Sequence, residues 1–204
     1  FLFFKSILGF GSYELSFLVY TQLPFILMGF LFDFDQVAVY SIVVTISTIF
    51  ILPSSVFTKA YHPLLQQHAN QSAEIHKQTV LKFLFAMTLL GLFMAVFCYI
   101  LGSLMPLIFL DANYSLSSDL IKVMSIFVFI RYLNSAISPS FYTKNYINIM
   151  ALFMMFIIIL QFVFIFSWFF SGIFNLLFLT YLIIALEIVF FILCIIYLFR
   201  RILN

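Results

Sequence analysis

The sequence predicts an all-α integral membrane protein built on six transmembrane helices, and three observations predict it. Of its 204 residues, 66% are hydrophobic, 21% aromatic and 8% charged, with a mean hydropathy of +1.24. A soluble domain carries roughly 45–50% apolar and about 25% charged residues, and a core of this size cannot enclose such a surplus. Apolar windows long enough to cross a bilayer, about 20 residues, recur six times along the chain. The alternation of a membrane β-barrel is missing from those windows, and in lipid the remaining way to satisfy the backbone is the helix.

The windows are bounded by polar or turn-forming residues. The first, about 12–32, ends where Asp33 and Asp35 follow; the second, about 37–61, ends where Lys59, His62 and Pro63 follow one another closely. A polar connection, 62–78, leads to the third window at about 79–101, and a second long connection, 102–118, leads to the fourth at about 119–142. The fifth, about 146–170, follows the short connection 143–145, and the sixth, about 175–199, follows 171–174 and closes on Arg200 and Arg201. None of these connections is long enough for a folded extramembrane domain, so residues 1–204 are expected to form one six-helix transmembrane unit. The opening FLFFKSILGF, without an initiator Met or the order of a signal peptide, reads as a cut into a longer polypeptide.

Basic residues orient the bundle, because short cytoplasmic loops accumulate Lys and Arg. Lys5, Lys59, Lys77, Lys82, Lys144, Arg200 and Arg201 all fall on one side, whereas the other side has only Lys122 and collects Asp33, Asp35, Asp111 and Asp119. Both termini are therefore expected in the cytoplasm. Tyr61, Tyr142, Tyr146 and Tyr197 fall near the same ends, as an interfacial belt requires.

Several function classes are disfavoured. Nine Lys+Arg against seven Asp+Glu leave a net charge of +2 and no basic patch for nucleic acid. Cys98 and Cys194 lie in apolar runs and read as small apolar filler. GxGxxG, P-loop, GxSxG and HExxH patterns are absent. His62, His68 and His76 share the second connection at spacings that do not make one helical face, and read as part of a polar loop. No catalytic residue, cofactor or metal site is expected.

Two charges are predicted deep in the hydrocarbon. Arg131 lies twelve residues beyond Asp119, and Glu187 twelve beyond Asn175. At 1.5 Å per residue each lies roughly 18 Å from the same face. A lone charge there costs at least about 2.5–3.5 kcal/mol, so the matched depths predict an Arg131–Glu187 ion pair. It serves either to hold two helices in register, or to present Arg131 to an anionic substrate in a hydrated cavity.

Polar residues also form stripes. Arg131, Asn134, Ser135, Ser138 and Tyr142 share one face of the fourth window; Ser41, Thr45, Thr48, Ser55 and Lys59 nearly do so on the second. Thr21 and Gln22 lie mid-span in the first window, two turns beyond Glu14, and Pro24 and Pro53 interrupt the first two windows. Such stripes mark either hydrogen bonding between helices or a water-filled path around which helices bend. The expected cavity residues are Thr21, Gln22, Ser41, Thr45, Thr48, Arg131, Asn134 and Ser138.

QLPFILMG at residues 22–29, the acidic turn DFD at 33–35, VAVYS at 37–41, KAYHP at 59–63 ahead of a polar loop, and LDANY at 110–114 follow one another in order. In that order and spacing the chain resembles, over essentially its whole length, the C-terminal six-helix lobe of an O-antigen-type polysaccharide flippase of the multidrug/oligosaccharidyl-lipid/polysaccharide (MOP) transporter superfamily. It departs from the family pattern in Ala38 where a Gly is usual, in Pro24 where a polar residue is usual, and in a last turn that keeps only Gly172. The resemblance implies one lobe of a two-lobe, MATE-like transporter, with a central cavity lined by the first two helices of each lobe. An N-terminal lobe or second subunit would complete that cavity. It also implies residence in a bacterial inner membrane, among its lipids, and translocation of undecaprenyl-diphosphate-linked oligosaccharide for surface polysaccharide, the O-antigen of lipopolysaccharide. A drug or metabolite exporter of the same superfamily is the second reading. A membrane-embedded glycan polymerase or glycosyltransferase is the third; the longest outer connection, 102–118, has Asp111 as its only charge, which counts against it.

Overall fold

A computed structural model of the chain describes residues 2–109, 115–143, 146–171 and 175–202. Among these, the chain forms α1 (Leu2–Leu31), α2 (Phe34–Ala69), α3 (Ala73–Phe97), α4 (Ser103–Phe109), α5 (Ser115–Thr143), α6 (Ile147–Ser171) and α7 (Leu176–Tyr197), with π-helical turns at Cys98–Gly102 and Leu198–Ile202. Six stretches are long and apolar enough to cross a membrane: Gly11–Leu31, Phe34–Ala69, Ala73–Pro106, Leu116–Thr143, Ile147–Ser171 and Leu176–Arg201. The protein is therefore an all-helical, multi-pass membrane protein.

The long connections expected at 62–78 and 102–118 are mostly helix. Helix α2 carries on through Pro63 to Ala69, and α3 starts at Ala73, because the Ser72 side chain accepts the Ile75 N–H at 3.2 Å and caps it. The three histidines consequently lie on helices: His62 and His68 on α2, His76 buried on α3. His68 Nδ1 shares a 2.7 Å hydrogen bond with Thr79 Oγ1, which clamps the α2–α3 hairpin. Beyond α3 the chain widens into the Cys98–Gly102 π-turn and continues as α4. Such a turn shifts the helical hydrogen bonds, and the Ser103 hydroxyl donates to the Tyr99 carbonyl at 2.6 Å and to that of Ile100 at 3.1 Å. LDANY, Lys144 and Gly172 lie outside the described residues.

The prolines do not interrupt the spans. Pro24 and Pro53 sit inside continuous helices, as Pro106 and Pro139 do. Each leaves a carbonyl four residues earlier without its helical donor. For Pro139 that carbonyl is Ser135, and it is met by the hydroxyls of Thr58 at 3.2 Å and Ser138 at 3.1 Å.

Helix α5 forms the centre of the bundle, packed against α2, α3 and α7, and it is the most buried of the six spans. Close approach to α3 depends on Gly91, where an added Cβ would stand 2.6 Å from Tyr132 Cβ. The Tyr132 hydroxyl ties α5 to α2 by donating to the Phe50 carbonyl at 2.9 Å. Although α1 and α2 are joined by a tight turn, α1 packs chiefly on α6 and barely touches α2. The resulting gap between α1 and α2 is floored by α5. Large apolar side chains such as Phe30, Phe85, Leu152 and Phe170 cover the outside of the bundle, where lipid accepts them.

Candidate functional site: a divided groove between the first two spans

The floor of the gap carries a charge cluster. Packing of α5 on α7 brings Arg131 Nη1 within 2.8 Å of Glu187 Oε1. The same oxygen accepts from Asn134 Nδ2 at 2.8 Å, and Tyr20 Oη, reaching over from α1, donates to Oε2 at 2.9 Å. Glu187 is 1% exposed and Arg131 16%. The carboxylate is thus sealed and saturated with donors, as a buried charge must be. Among the described residues the one hydrogen bond of the guanidinium is that from Nη1; the side chain borders the groove, and its Cζ sits 4.5 Å from the centre of the Phe17 ring.

Two cavities open off the gap and meet at this stack. The first, about 360 Å³, lies nearer the α1–α2 turn and is lined by Tyr20, Thr21, Gln22, Pro24 and Phe25 of α1, by Tyr40, Val44 and Thr48 of α2, and by Gln161 of α6. The second, about 500 Å³, lies nearer the α2–α3 hairpin and is lined by Tyr13 and Glu14, by Ser55, Thr58, Lys59 and His62, and by Ser135, Ser138 and Tyr142. Phe17 and Arg131 line both. The second cavity therefore combines two cations, one carboxylate and a set of hydroxyls, a surface suited to an anion that accepts several hydrogen bonds.

Of the residues expected to line a cavity, Thr21, Gln22, Thr48 and Arg131 border the first, and Arg131 and Ser138 the second. Asn134 does not: it is 4% exposed and sits behind Arg131 as a ligand of Glu187. Ser41 and Thr45 are exposed and border neither cavity. The face of α2 turned to the gap carries Tyr40, Val44, Thr48, Ser55, Lys59 and His62. Lys122 pairs with Asp119 at 2.8 Å on the surface, a contact of little energetic weight.

Tyr20, Phe17 and Gln161 were not expected from the sequence. Tyr13, Phe17, Tyr20 and Pro24 stand at i, i+4, i+7 and i+11, a single helical face that could have pointed to the groove. Gln161 is a lone amide midway along an otherwise strongly apolar span, a signal of the kind that marks function inside a membrane.

Comparison of the chain with protein-family models, with curated proteins and with solved structures gave no match. What the fold and the site define is a class: a multi-pass α-helical membrane protein with a polar groove between its first two spans.

Proposed function

We propose that the chain is the C-terminal six-helix lobe of a two-lobe, MATE-like MOP transporter. Its cargo is undecaprenyl-diphosphate-linked oligosaccharide, flipped across a bacterial inner membrane for O-antigen or other surface polysaccharide. The observation that carries this reading is Arg131: an arginine locked by a saturated, buried Glu187, yet bordering both cavities of a groove that Lys59 and several hydroxyls also line. A structural ion pair needs no free donors on a groove wall; a site for a diphosphate does. The gap between α1 and α2 supports the same reading, since in such a transporter those two helices face the partner lobe. The distribution of basic residues supports an orientation with both termini in the cytoplasm. In this reading no catalytic step is carried out, and translocation rests on alternating exposure of the groove.

Glu187 weighs against the exporter alternative. A carboxylate that couples ion flow needs access to the path, and this one is 1% exposed and held by three donors.

Deleting the gene tests the proposal. Lipid-linked repeat units are expected to accumulate on the cytoplasmic leaflet and surface polysaccharide to disappear, with recovery on re-expression of the wild-type protein but not of Arg131→Gln. Normal surface polysaccharide in the deletion strain would overturn it.

A further inference from the structure

The first cavity contains a polar feature that the charge cluster does not use. Gln161 is fully buried on α6 and borders this cavity, and among the described residues neither its Oε1 nor its Nε2 has a hydrogen-bond partner. A buried amide left without partners is costly, and costlier still in an apolar bundle. The first cavity is therefore bordered by an amide whose donor and acceptor both call for a partner.

Five aromatic rings also line the cavity, beside aliphatic side chains and the hydroxyls of Thr21 and Thr48. Phe17, Tyr20, Phe25, Tyr40 and Phe127 surround the cavity, and the rings of Phe25 and Tyr40 lie 5.0 Å apart. An apolar ligand would leave the Gln161 amide unmet. A cation would meet Arg131 at the cavity floor, and an anion is better served in the second cavity, where Lys59 adds a further positive charge. A ring that has both donors and acceptors on its edge and C–H groups on its face answers to all of these features.

We propose that the first cavity is a subsite for an uncharged, polyhydroxylated ring, a sugar unit, with ring hydroxyls bonded to the Gln161 amide and the ring face against the aromatic wall. This rests on reading the groove as a cargo path, and it gives the cargo a direction: glycan toward the α1–α2 turn, anionic group toward the α2–α3 hairpin.

The test uses purified full-length protein in a polyoxyethylene detergent, which contains no sugar. Thr48→Cys reports on the first cavity and Thr58→Cys on the second, each read as the rate of maleimide labelling; native Cys98 and Cys194 are buried. Octyl glucoside is expected to slow labelling of Thr48→Cys, about tenfold near saturation, and Gln161→Leu is expected to abolish that protection. Leucine suits the buried site, so a thermal melt no lower than that of the parent shows that the variant is folded. Equal protection in the Gln161→Leu background, or none in the parent, overturns the sugar subsite; the second result would mean that water alone satisfies Gln161. Inorganic pyrophosphate is expected to protect Thr58→Cys and not Thr48→Cys. Failure of that arm alone would count against the anion site of the proposed function and leave the sugar subsite standing.

Discussion

Replacing Arg131 by Met would strip Glu187 of its cation while leaving it 1% exposed, with Asn134 and Tyr20 as its remaining donors. Breaking a buried pair from one side costs about 3–5 kcal/mol, most of it the stranded charge. Glu187→Gln acts differently. Gln still accepts from Asn134, and the stranded guanidinium is 16% exposed and can take water from the groove. Its cost is expected near that of a lost charged hydrogen bond, about 1–3 kcal/mol. In Arg131→Met with Glu187→Gln no charge is left behind, so the double variant is expected to be more stable than Arg131→Met alone, with a coupling of at least about 1 kcal/mol. Unfolding in mixed detergent micelles, titrated with SDS for all four proteins, measures the cycle. Additivity within about 0.5 kcal/mol, or a larger loss for Glu187→Gln than for Arg131→Met, would refute the claim that the carboxylate is sealed while the arginine faces the groove.

Gly91→Ala should destabilise the protein by about 1–3 kcal/mol through overpacking, because the new Cβ would stand 2.6 Å from Tyr132 Cβ. Gly29→Ala, with nothing within 4 Å, should leave it unchanged or gain up to about 1 kcal/mol; thermal melts of the two variants side by side check this. Phe17 and Arg131 are the residues shared by both cavities. Phe17→Ala should therefore merge them, so that in sealed vesicles an impermeant thiol reagent added on the α2–α3 side labels Thr48→Cys, which it should not reach in the parent.

Spans and charge depth were legible because they depend on the chain one residue at a time. Twenty apolar residues cross a bilayer whatever their neighbours, and Arg131 and Glu187 can be placed at one depth by counting from Asp119 and Asn175. Helix ends were less legible, since polarity marks where the membrane stops and not where the helix does. Helix α2 runs on past Lys59 to Ala69, and α3 begins at the Ser72 cap.

Azimuth was the least legible. Ser41 and Thr45 belong to the same polar stripe as Thr48, yet Thr48 borders a cavity and they do not. Asn134 shares a face with Arg131 and Ser138, yet it is used to bind a carboxylate on another helix.

By itself, then, the sequence determined that the protein is an all-helical membrane protein, where its spans run, and that one arginine and one glutamate lie at a common depth. Hydropathy, helical rise and the cost of a lone charge in lipid act locally and need no knowledge of the partners. Only the tertiary structure decided that α1 leaves α2 to pack on α6, that a groove opens in the space between them, and that Phe17 and Arg131 divide it. Those are choices among helix faces of nearly equal hydrophobicity. Lipid does not distinguish one such face from another, so contacts distant in sequence, such as Gly91 against Tyr132 and Tyr20 against Glu187, select the arrangement.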